Sequence, residues 1–128
     1  MNIRLNGLLL AAALGLPGAA IAGHDDAELA LARAETAVSA AERAGAVQLA
    51  SRELEEARMN LAASRGSFEE RDYDDAERQA VEAHLDGRWA EARSRQTRAE
   101  AHAAELQAAI NVLRGQFDPM SVDPTVGG

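Results

Sequence analysis

Cysteine and lysine are both missing from this chain, and proline stands only at positions 17, 119 and 124. Histidine apart, its aromatic residues are Phe68, Tyr73, Trp89 and Phe117 alone. Without cysteine there is no disulfide, no thiolate metal site, no cysteine nucleophile and no lipid-bearing cysteine. Positive charge is also short, 13 basic residues against 21 acidic ones, for a formal net charge of −8. A surface of that sign repels phosphate backbones and anionic headgroups, so neither nucleic acid nor a membrane surface is an expected partner. No glycine-rich phosphate loop and no serine in a strand-to-helix elbow occurs, and the chain is not expected to be an enzyme.

Long apolar runs are scarce as well. Leu8 to Leu16 forms one, shorter than the ~20 residues needed to cross a bilayer. Arg4 precedes it, Pro17 and Gly18 break it, and Ala20-Ile21-Ala22 supplies small residues at the right offsets. That layout predicts a secretory signal over 1–22, cleaved to leave Gly23 first, and a periplasmic protein that is not a lipoprotein. Losing Arg4 leaves the mature chain one unit more negative. An exported domain without disulfides depends on helix packing, a metal or a partner.

What the chain does have is alanine, with glutamate, arginine and leucine, all strong helix formers. Ala27, Leu31, Ala34, Val38, Ala41 and Gly45 recur at steps of four and three, as do Ala50, Leu54, Ala57, Leu61, Ser64 and Phe68. A third set runs Ala76, Ala80, Ala83, Gly87, Ala90, Ser94, Thr97, Ala101, Ala104 and Ala108. Each is the stripe of a helix burying one side against another. Gly45 is placed to end the first helix in a left-handed conformation. The acidic run Asp72, Asp74, Asp75 and Glu77 marks the start of the last helix. Asp74 and Glu77 stand at capping-box spacing, and all these acids suit the positive end of a helix dipole. The expected fold is all-α: an antiparallel bundle of three helices at about 25–44, 48–71 and 74–116, within a domain of 23–117. A flexible tail follows over 118–128.

The stripes are small, so backbones are expected to approach closely, with little area buried per residue. The third helix is also too long: at some 42 residues it spans about 63 Å, against about 36 Å for the second. The neighbour is used up near Thr97. Beyond it Ala99, Ala103, Leu106, Ile110, Leu113 and Phe117 form a second stripe with nothing in the chain to cover it. Either the helix folds back or the overhang meets another molecule. No proline or helix-ending glycine lies between Thr97 and Arg114, which favours a protein partner or self-association.

Other constellations are weaker. Counted as a calcium loop from Asp72, the acidic run has Glu77 where glycine is required and Ala83 where a bidentate glutamate is required, so helix capping explains it better. His84 and His102 are five helical turns apart, about 27 Å, and cannot share an ion within one chain. Glu105 lies one turn from His102, and solvated or half-buried histidines are expected. Trp89 and Tyr73, single aromatics beside alanine stripes, are expected in the core rather than as a ligand-stacking pair. His24 is the one weak metal candidate. Cleavage after Ala22 sets a free amine beside its imidazole and the carboxylates of Asp25 and Asp26, donors that Cu(II) or Ni(II) accepts. The plainer expectation is that those aspartates cap the first helix and no cofactor binds.

The stretch Glu53 to Ser94 carries Leu54 and Ala57, Asp72-Tyr73, Ala76, Ala80 and Ala83, then Asp86, Arg88, Ala90, Glu91 and Ala92. In this it resembles the bacterial envelope proteins of domain-of-unknown-function family 4398, with similarity over about Ala27 to Ala109. Arg71 stands where that family's pattern has glycine. The resemblance implies an all-helical protein of the periplasm or outer membrane without known catalytic residues. The helix–Asp-Tyr–helix unit is also similar to a tetratricopeptide hairpin. Together these readings predict a non-catalytic scaffold, adaptor or spacer of the cell envelope. The alternative is a small periplasmic metal-binding protein using His24.

Overall fold

A computed structural model describes residues 18–117. The tail over 118–128 and most of the leader over 1–22 lie outside the described residues. The fold is all-α, with α1 (Gly18–Arg43), α2 (Ala46–Leu49), α3 (Ser51–Glu69) and α4 (Tyr73–Phe117). No strand occurs among the described residues.

Four helices rather than three follow from the hydrogen bonds around one glycine. Gly45 takes φ 84°, the left-handed conformation that stops α1. Its carbonyl then accepts from the N–H groups of Gln48 and Leu49, both at 3.1 Å, starting a separate turn of helix. Ala50, at φ −150°, separates that turn from α3. The first helix also begins earlier than its periodicity suggests, at Gly18 rather than Asp25.

The three long helices run up, down and up. Exposed pairs mark the register: Arg58 with Glu42 at 2.6 Å and Arg65 with Glu35 at 2.7 Å between α1 and α3. Arg93 with Glu53 at 3.3 Å and Asn60 with Asp86 at 2.8 Å link α3 to α4. Apart from Val38, Leu54 and Leu61, the buried apolar side chains are all alanines. Such groups bury little area each, so stability comes from close contact of backbones and many small dispersion terms.

The helices α1 and α4 approach closely at Gly87. A Cβ there would stand 2.9 Å from the Ala37 carbonyl carbon and 3.0 Å from the Val38 nitrogen. Backbone meets backbone, and α4 passes through this glycine unbroken. Near the other end of the bundle the buried Ser64 hydroxyl donates to the Ala76 carbonyl oxygen at 2.6 Å, tying α3 to α4.

Candidate functional site

With 45 residues, α4 is about 67 Å long, more than twice the length of α3 at 19 residues. Its inner stripe is buried at Ala76, Ala80, Ala83, Gly87, Ala90 and Ser94, and Thr97 is half-buried. From Arg98 to Phe117 every residue is exposed. Ala101, Ala104 and Ala108, which continue the inner stripe by spacing, are therefore exposed and meet no other described helix. The bundle ends beside Arg98, whose Nη2 donates to the Ala44 carbonyl oxygen at 2.9 Å and so caps α1 from the side.

The expected interaction stripe lies on this bare segment, on the side of α4 away from the bundle. Leu106, Ile110, Leu113 and Phe117 are 67%, 43%, 52% and 68% exposed, and Ala99 and Ala103 share the face. Side-chain pairs one turn apart support the unpacked helix: Gln96 to Glu100 at 2.8 Å, His102 with Glu105 at 3.4 Å, Gln107 to Asn111 at 3.1 Å. Reading outward-facing positions back toward the N-terminus adds residues the sequence reading missed. Leu85 and Trp89 are 60% and 61% exposed, and with Ala92 they extend the same face at steps of four and three. Gln96 is the one polar interruption before Ala99. Counting upstream from Ala99 finds this face.

Trp89 corrects the expectation of a core aromatic. Two residues earlier, Gly87 lies against the backbone of Ala37, and helices that close leave no room for an indole. Nor does it pair with Tyr73, which is half-buried at the far end of the bundle against Phe68 and His24.

The acidic run begins a helix, α4 starting at Tyr73, with its cap two residues earlier than the spacing suggests. Arg71 takes φ 64°, the left-handed conformation of a helix C-terminus. Its N–H reaches the Phe68 carbonyl at 3.1 Å and that of Asp72 reaches Ser67 at 2.9 Å, the paired bonds of a Schellman turn. Asp72 is thereby set at the N-cap, and its Oδ1 accepts from the Asp75 N–H at 3.3 Å. Asp74 and Glu77, the expected capping pair, fall at the second and fifth helical positions, where they cannot close that box. Asp75 also accepts from Arg78 Nη2 at 2.9 Å, and this raises the guanidinium pKa above its ordinary value.

His24 is not a loose end. It lies within α1, its ring 5.1 Å from Phe68 and 5.2 Å from Tyr73, centre to centre. Its Nδ1 approaches the Asp25 carboxylate at 3.2 Å and that of Glu28 at 4.0 Å. These three residues form the one group able to hold a metal ion found among the described residues. With the leader attached, α1 runs through Asp25 and Asp26, so neither stands at a helix start in this form of the chain. His84 Nδ1 sits 3.3 Å from the Arg33 carbonyl oxygen across α1, whereas His102 is solvated. No described helix is long and apolar enough to cross a membrane.

The family model described as Domain of unknown function (DUF4398) matches residues 29–106, well over half of the chain. No curated protein and no solved structure matches it.

Proposed function

The chain belongs to the DUF4398 family, and from that premise we propose that it is a non-catalytic helical scaffold or adaptor of the cell envelope. It is exported to the periplasm by the leader over 1–22 and acts through protein–protein contacts. The observation that carries this reading is the stripe Leu106, Ile110, Leu113 and Phe117, apolar and exposed on a helix that has outrun its own bundle. Contiguous apolar surface held out in water marks an interaction site more often than a folding necessity. The leader pattern supports export, and the missing cysteine supports a protein free of lipid.

The test is capture from envelope extract by the chain and by its Leu106→Asp/Ile110→Asp/Leu113→Asp variant. A protein, another copy included, is expected to be retained by the first and lost by the second, with helical circular dichroism of the bundle unchanged. Equal capture by both overturns the reading. Sequencing the N-terminus of the protein recovered from the periplasm is expected to begin at Gly23.

One observation favours a second reading, small-metal binding: the two carboxylates beside His24 Nδ1. Copper titration of the mature chain against His24→Ala decides it, and superimposable curves end it.

A further inference from the structure

We infer that the overhang of α4 pairs antiparallel with the overhang of a second copy of this chain. The inference rests on the preceding reading of that face as an interaction surface and adds the occupant, the direction and the register. Ala99, Ala103, Leu106, Ile110, Leu113 and Phe117 alternate by four and three, the a/d seam of a two-stranded coiled coil. All six are exposed.

Side-chain volume sets the direction. Run antiparallel over the full overhang, Ala99 lies opposite Phe117, Ala103 opposite Leu113, and Leu106 opposite Ile110, each twice by symmetry. Every layer then pairs a small group with a large one or two of middle size, so one interaxial distance serves the whole seam. Run parallel, the alanines stack on alanines at one end and Phe117 on Phe117 at the other. No single separation fits both ends.

Charge agrees. Glu100 and Arg114 flank the seam, each immediately after a core position. Antiparallel pairing brings Glu100 of each copy to Arg114 of the other. Shifting the register by one heptad toward the bundle sets Arg93 against Arg114, and shifting by two sets Glu100 against Glu100. A parallel pair offers only Arg95 to Glu100 and leaves Arg114 without an acid, whereas the antiparallel pair satisfies both flanking charges. Glu100 also accepts from Gln96 at 2.8 Å in either direction. Each chain also carries a formal −8 before the leader and its Arg4 are lost. Antiparallel overlap confined to the overhangs leaves the two acidic bundles at opposite ends of a seam about 28 Å long, whereas parallel pairing sets them abreast.

Because the chain has no cysteine, single introduced thiols report the register directly. Sedimentation of the chain as recovered from expressing cells is expected to show a concentration-dependent dimer. Oxidising a mixture of Ala103→Cys and Leu113→Cys chains is expected to link the two variants to each other, with neither linking to itself. Glu100→Arg and Arg114→Glu each weaken the dimer by about 2- to 30-fold, and combining them in one chain restores it. Self-linking of Ala103→Cys overturns the direction and leaves the scaffold reading standing. A strict monomer whose stripe variant still loses another captured protein overturns the second copy alone. A strict monomer with capture indifferent to the stripe removes both.

Discussion

Two halves of one helix differ in what their spacing is used for. Between Ala76 and Ser94 the inner face of α4 is alanine, glycine and serine, all buried. Between Ala99 and Phe117 the outer face carries leucine, isoleucine and phenylalanine, all exposed. Both faces repeat by four and three. The small side chains lie where backbone meets backbone inside the bundle, and the large ones of the overhang lie where no other described helix reaches. In a protein built this way, size of side chain is a poor guide to burial. The helices pack by excluding bulk, and bulk is left on the outside for another surface.

The comparison is broken most sharply by truncating one leucine in each region. Leu54 is fully buried, and Leu54→Ala is expected to cost about 3 kcal/mol of stability in urea unfolding. Leu113→Ala, made on the bare segment, is expected to change the unfolding of dilute protein by less than about 0.5 kcal/mol. Comparable losses from the two would mean that the overhang is packed within the monomer. A second pair of variants uses glycine. Gly87→Ala forces the backbones of α1 and α4 apart and is expected to destabilise by about 2 kcal/mol, despite the better helix propensity of alanine. Gly66, with nothing within 4 Å of an added Cβ, is expected to gain about 0.5–1 kcal/mol from the same substitution. The same chemical change reads out with opposite sign, and thermal melts of the two variants distinguish them.

Much of this was legible in the residues because periodicity reports a face directly. The inner stripe through Thr97 and the loss of its neighbour beyond that point follow from counting residues and multiplying by the helical rise. What stayed hidden depends on partners distant in sequence or on the division of hydrogen bonds at a turn. Trp89 faces outward because Gly87, two residues earlier and so on the opposite side of α4, meets the backbone of Ala37. The outer face was there to be counted back from Ala99, but composition, with few aromatics, pointed to a core indole. The ring of His24 finds Phe68 and Tyr73 only once α1 and α3 are paired. The cap fell to Asp72 rather than Asp74 because Arg71 accepted a left-handed φ of 64°. Spacing alone gave no warning of that, although an Arg in a glycine position was there to be questioned.

That turn offers a further prediction, smaller and opposite in sign to most. Left-handed backbone costs a residue with a Cβ about 1–2 kcal/mol, and glycine escapes most of that cost. Arg71 is exposed. Arg71→Gly is therefore expected to stabilise the bundle by about 1 kcal/mol, offset in part by the greater freedom of glycine in the unfolded chain. Asp72→Ala, one residue on, removes the cap of α4 and is expected to cost about 1 kcal/mol. A further small effect belongs to the exposed pair between Arg65 and Glu35 at 2.7 Å. A double-mutant cycle on it is expected to give a coupling of about 0.2–1 kcal/mol that falls with added salt. If Arg71→Gly instead destabilises while the cap variant behaves as expected, the strain at φ 64° is not what limits the turn. The arginine side chain then contributes a contact on the α3–α4 corner that outweighs the cost of its own backbone.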